Sequence, residues 1–257
     1  MPVWFSAIDY IEAFFWSVTY IIIIFTAFIN KNDRRFPIST LTVMINFAWE
    51  IASVFYSNFD SFSRANFIRF SWFFFDIFIF LLLCFKVKNK LVKKKTFYRY
   101  LIVLFVLMPI FYYCFKNINY GMTISAFVID AHMEFMFWKN RRRLDPSNRL
   151  RIGIAKILGD FFAGLYYSTI HISAAILGVV ALIFDVLYII YAIKEQRQQP
   201  EIAENFKNNL SQFILDCNSI VNQFIKSKIL KKKPRQKKIT YKKKKKTKKT
   251  HRKSKGR

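Results

Sequence analysis

Seven apolar stretches, each near the length a helix needs to cross a bilayer, divide the first 195 residues, and basic connections separate them in alternation. A spanning helix takes about 20 mostly apolar residues to traverse roughly 30 Å of hydrocarbon. The stretches run from Tyr10 to Ile29, Ser39 to Ser57, Ile68 to Phe85, Tyr100 to Phe115, Asn119 to Trp138, Ile152 to Ile170 and Ser173 to Ile193. A soluble domain of 257 residues has no core large enough for a chain that is 54% apolar and carries 31 Phe, so these runs are expected to face lipid. The expected fold class is all-α: a polytopic, multi-pass membrane protein, a seven-transmembrane-helix bundle occupying residues 1–195.

The connections set the expected orientation, because short loops rich in Lys and Arg stay on the cytosolic side. The first loop holds Lys31, Arg34 and Arg35. The third holds Lys86, Lys88, Lys90, Lys93, Lys94, Lys95 and Arg99, and the fifth holds Lys139, Arg141, Arg142, Arg143, Arg149 and Arg151. Loops four and six are very short, and loop two, with Arg64 and Arg69, is a mild exception. An odd number of spans, with Asp9 and Glu12 near an N-terminus outside and the C-terminus cytosolic, satisfies these constraints. The first run has no basic region ahead of it and no small-residue cleavage site after it, so it reads as a retained helix. An endoplasmic reticulum membrane or a bacterial inner membrane would fit equally.

Of the 42 Lys and Arg, 19 lie between Lys226 and Arg257, where no acidic residue occurs. Ahead of them, Phe206, Leu210, Phe213, Cys217, Ile220 and Phe224 recur at steps of four and three, a helical stripe. Residues 196–230 are therefore expected to form a cytosolic amphipathic helix and residues 231–257 a disordered polybasic tail. The partners expected of them are membrane lipids, with the lysines drawn to anionic headgroups. A short coiled coil, nuclear import through the run Lys231 to Lys238, and nucleic-acid binding are disfavoured alternatives. Cys84, Cys114 and Cys217 show neither a disulfide framework nor zinc spacing.

The chemically informative residues are acids inside the spans: Glu50, Asp76, Asp130, Glu134, Asp160 and Asp185. A carboxylate at mid-membrane costs roughly 2.5 to 3.5 kcal/mol on insertion scales, so several of them require a polar interior. Counting from the span ends, Glu50, Asp76, Asp160 and Asp185 fall at similar depth. Glu134, a turn from Trp138 and Arg141 to Arg143, reads as an interfacial ion pair. His132 and His171 read as structural. An isolated Glu50 or Asp185 in a low dielectric is expected to keep its proton near neutral pH and so be able to donate it.

The segment Arg34 to Tyr56, RRFPISTLTVMINFAWEIASVFY, resembles the second helix of the integral-membrane terpene cyclases of fungal meroterpenoid and indole-diterpene biosynthesis, with N-x-A-W-E at Asn46 to Glu50 as its core. Three further stretches agree in order: Trp72 with Asp76 four residues on, K-x-L-G at Lys156 to Gly159, and Asp185 before Tyr188. The resemblance implies seven helices around a prenylated, lipid-like small-molecule substrate, with a terminal epoxide protonated to start metal-independent ring closure. It maps the two principal acids to Glu50 and Asp185. Asn46, Trp49, Trp72, Asp76, Asp160 and Tyr188 are candidate substrate contacts, the aromatic ones through cation–π stabilisation. The chain departs from the family in its acidic Asp130 to Glu134 stretch, in Asp160 after K-x-L-G, and in the basic extension. No D-D-x-x-D or D-x-D-D motif occurs, so neither metal nor other cofactor is expected.

Two alternatives stay open on sequence. Seven helices also suit a small proton-linked or sugar-type transporter built as three plus one plus three, and the third and seventh stretches, SWFFFDIFIF and ALIFDVLYII, each place Phe-Asp near the middle. A non-catalytic membrane protein is the other. Pro109, the one proline well inside a span, lies in the fourth, which favours a closed pocket over broken transport helices.

Overall fold

A computed structural model of the chain describes residues 3–57, 64–169, 171–199, 201 and scattered positions between 207 and 221. The chain divides into two units, Met1–Phe213 and Ile214–Arg257, and the helices belong to the first. Most of the expected amphipathic helix at 196–230, and all of the polybasic tail, lie outside the described residues. Among those residues the regular structure is entirely helical. The helices are α1 (Val3–Ile29), α2 (Thr40–Tyr56), α3 (Arg64–Lys88), α4 (Lys94–Asn117), α5 (Gly121–Asn140), α6 (Arg149–Ser168) and α7 (Ile172–Gln198).

Local chemistry explains where several of them start. Ser39 caps α2, its hydroxyl accepting the Thr42 N–H at 3.1 Å. His171 does the same for α7, its ring nitrogen accepting the Ser173 N–H at 3.2 Å, which gives this histidine a structural role. Between α4 and α5 the chain reverses through Tyr120, whose φ is 55°, into Gly121. A Cβ at position 121 would lie 2.2 Å from the Cys114 carbonyl oxygen, so only glycine fits so tight a reversal.

The helices are inverted relative to a soluble protein. On α7, Ile172, Ile176, Val179, Ile183 and Ile190 form an exposed stripe, and on α4 Ile102, Phe105, Val106, Ile110 and Tyr113 do the same. The interior holds Glu50, Asp76, Asp130, Glu134, Lys156, Asp160 and Asp185, all buried. Apolar surface outside and charge inside is the distribution a lipid solvent selects. Four helical segments are long and apolar enough to cross a membrane: Ala7–Ile29, Phe67–Lys88, Lys94–Asn117 and Ile172–Gln198. The 17-residue α2 is apolar but shorter. Helices α5 and α6 are diluted by Asp130 and Glu134 on one and Lys156 and Asp160 on the other.

The main packing pairs join α1 to α3, α3 to α2, α2 to α4, α4 to α5, α5 to α7, α7 to α6, and α6 back to α1. Each triplet thus has its third helix between the first two, and α4 links the triplets. They meet again through α1 with α6 and, more lightly, α2 with α5. Exchanging the triplets turns one of these contacts into the other, as an approximate two-fold repeat requires.

One end of the bundle is tied together by polar contacts. The Lys86 ammonium, 1% exposed, donates to the carbonyls of Asn30, Asp33 and Arg35 at 3.1, 2.8 and 2.7 Å. Asn30 donates to Asp145 at 2.7 Å, and the Asp145 N–H donates to the Phe36 carbonyl at 3.0 Å. Arg149 pairs with Glu195 near the end of α7. The basic first and fifth connections are thereby brought to the same end as the close of α3 and α7. There, partial burial pushes the Asp33 carboxyl up, but hydrogen bonds from Arg35 outweigh it and hold Asp33 below its ordinary range.

Candidate functional site: an acid-lined aromatic cavity and a buried ion cluster

Asn46, Trp49 and Glu50 occupy one side of α2 because residues three and four apart share a helix face. That side borders a cavity of about 140 Å³ walled also by Trp16 and Tyr20 of α1, Trp72 of α3, Met122, Ala126 and Asp130 of α5, and Ala163 and Tyr167 of α6. Glu12 and Arg69 line it too, and the Arg69 guanidinium donates to the Ser57 hydroxyl at 2.9 Å.

Each polar group of the N-x-A-W-E segment has a distinct fate. The Asn46 amide donates to Asp76 Oδ2 at 2.7 Å and to the Tyr20 hydroxyl at 2.8 Å, tying α1, α2 and α3 together. Trp49 donates its indole N–H to Ser125 of α5 at 2.9 Å. Glu50, 2% exposed, has the Ser53 hydroxyl 3.4 Å from Oε2, and no ion pair involves it among the described residues. Across the cavity, the Trp72 indole N–H is buried with no acceptor among the described residues.

Behind the α5 and α6 wall lies a second polar centre. The Lys156 ammonium stands 2.8 Å from Asp130 Oδ1, 2.7 Å from Glu134 Oε1 and 2.5 Å from Asp160 Oδ2, and 4.4 Å above the Trp16 ring. The three carboxylates offer ligand atoms within 4.8 Å of one another, a grouping able to hold a cation, and Lys156 places its own ammonium there. Asp185 of α7 is fully buried near this cluster, and neither of its carboxyl oxygens has a hydrogen-bond partner among the described residues.

The sequence candidates are therefore distributed over two places. Asn46, Trp49, Glu50 and Trp72 share the cavity, with Asp76 directly behind Asn46. Asp160 and Asp185 belong to the Lys156 cluster, and neither lines the cavity. Tyr188, 1% exposed, lies against Phe137 with ring centroids 5.0 Å apart and planes tilted by 45°, and packs on Gly153, away from the cavity. Glu50 and Asp185 do not face a common space.

The expectation that Glu134 forms an interfacial pair with the Arg141 to Arg143 group is corrected. Glu134 is fully buried against Lys156, while Arg141 donates to the Trp138 carbonyl and lies over the rings of Trp138 and Tyr191. The physical reason is that α5 turns the face bearing Asp130 and Glu134 toward α6. Lys156, named only within K-x-L-G, and Glu12, named only as an N-terminal acid, were not singled out as site residues on sequence, and neither were Trp16 and Tyr20. A signal existed for the first: Asp130 with Glu134, and Lys156 with Asp160, are each four apart, which puts two paired charges on one face of each helix.

Compared with protein-family models, with curated proteins and with solved structures, the chain matches none. Fold and site define a class directly: an all-α protein with four helices fit to cross a membrane, enclosing an acid-bearing aromatic cavity backed by a buried ion cluster.

Proposed function

We propose that the protein spans the membrane seven times, N-terminus outside and C-terminus cytosolic, as a metal-independent, terpene cyclase-like enzyme that starts ring closure by protonation. The observation that carries this reading is Glu50: a buried carboxyl with a hydroxyl as its nearest polar partner, on the wall of a cavity edged by Trp16, Trp49 and Trp72. A carboxyl so placed can give its proton to an epoxide oxygen, and the indole faces favour the cation that follows. The substrate class is a prenylated, epoxidised, lipid-like molecule. A cavity of about 140 Å³ is close to the ~150 Å³ void that takes up benzene, so the proposal seats the reacting terminal unit there and leaves the rest of the chain toward lipid. Seven spans follow if α2, α5 and α6 cross beside the four long helices, their charges cancelled against one another and not exposed to lipid. In this reading Asp185 acts at one remove, through Glu134 and Lys156.

The test is conversion of epoxidised polyprenyl lipids by membranes containing the chain. Glu50→Gln keeps the shape and removes the acidity, so turnover should fall by about 100-fold or more. Normal turnover by that variant would sink the assignment.

One observation favours a second reading, a proton-linked or sugar-type transporter: the repeated helix order of the two triplets, which meet around the cavity. Vesicles reconstituted with the protein separate the two, since a transporter accumulates its solute unchanged and a cyclase returns an isomer.

A further inference from the structure

Three acids border the cavity, Glu12, Glu50 and Asp130, and one of them, Asp130, is tied directly to a buried cation. An ammonium held away from water requires a counter-charge, so at least one of Asp130, Glu134 and Asp160 is a carboxylate. Glu134 and Asp160 are wholly enclosed by protein, whereas Asp130 is 7% exposed and opens on the cavity. Of the three, Asp130 alone lines the cavity, so it is the member of the cluster that a molecule in the cavity can meet. The cavity then carries two carboxyls of opposite provision. Glu50 has a hydroxyl beside it, and Asp130 has an ammonium 2.8 Å away.

We propose that Asp130 is the proton acceptor that ends the reaction Glu50 begins, with Lys156 as the residue that positions it and maintains its charge. This rests on the cyclase reading above. The Glu50 O–H bond breaks as its proton bonds to the epoxide oxygen; the epoxide C–O bond opens to a hydroxyl and a carbocation; alkene electron pairs form the ring C–C bonds. At the last cation an adjacent C–H bond breaks, its electron pair becomes a C=C bond, and its proton goes to Asp130 Oδ. The sum is an isomerisation that consumes no co-reactant. Glu50 is left ionised and Asp130 protonated, and one proton carried back across the cavity resets both.

The experiment uses membranes bearing the full chain and an epoxidised farnesyl-type lipid as probe, with products resolved by mass spectrometry. Asp130→Asn should slow turnover and replace ring alkenes with alcohols formed when water captures the cation. A merely structural residue would not change the product class. Asp130→Glu should restore alkenes with a shifted double-bond position, and it carries the test if Asp130→Asn does not accumulate. Unaltered alkene products from both variants would overturn the acceptor and leave the cyclase reading standing; an inactive parent chain would overturn the cyclase reading and this reaction with it. Infrared difference spectra need no substrate. Asp130→Asn should remove a carboxylate band and Glu50→Gln a protonated-carboxyl band; loss of a protonated band in Asp130→Asn overturns the acceptor independently of any lipid.

Discussion

The cavity around Glu50 and the cluster around Lys156 are built from the same materials, buried carboxyls on α2 and α3 in one case and on α5, α6 and α7 in the other. They handle them differently. In the first, Asp76 is met by the neutral amide of Asn46, and Glu50 by the hydroxyl of Ser53. In the second, a single ammonium gathers three carboxyl groups, and Asp185 is buried near them. A neutral partner leaves an acid able to give up a proton, whereas an ammonium favours a carboxylate able to take one and also ties helices together.

Removing the cation gives the largest expected effect. Lys156→Met leaves three facing carboxyls without a counter-charge, and breaking a buried pair this way costs about 3–5 kcal/mol. Loss of the folded protein from detergent extracts is the expected outcome, and normal accumulation with an unchanged melting point would break the distinction between the two centres. Asn46→Ala comes next. It strips Asp76 of its donor and loosens α1, α2 and α3, for about 1–3 kcal/mol, seen as a lower melting temperature. Glu50→Gln, by contrast, should leave melting nearly unchanged while abolishing turnover.

Trp16 stands between the two regions, lining the cavity and covering the Lys156 ammonium. Trp16→Leu should therefore cost about 0.5–2 kcal/mol through the lost cation–π contact and also perturb activity; an effect on one alone would show that the regions are energetically separate. The smallest effect is expected at the solvated end. The depressed Asp33 contributes stability that is present above the ordinary Asp range and lost as pH falls through its lowered value. Asp33→Asn should flatten only that acid limb of a stability–pH curve, because the pair with Arg35 is largely solvated.

Much of the fold was legible because it is written in local pattern. The seven apolar runs became seven helices with boundaries shifted by a few residues, as in α1, which begins seven residues before Tyr10, and α7, which continues to Gln198. Helix formation depends on near neighbours and on caps such as Ser39, which a linear reading can find. The anomaly of Glu50 was equally visible, since an acid within an apolar run is costly wherever the helix sits.

What the chain alone determined, then, is its succession of helices, its inside-out polarity and the list of acids that had to be accommodated. Tertiary structure decided which acids meet. Glu50 and Asp185 looked equivalent in depth, yet rotation about each helix axis and the neighbour order α1–α3–α2–α4–α5–α7–α6 sent one to the cavity and the other to Lys156. Depth along a helix follows from counting residues; azimuth and partnership follow from packing between segments 26 to 30 positions apart, as in Lys156 with Asp130 and Asn46 with Asp76, where no local pattern reaches.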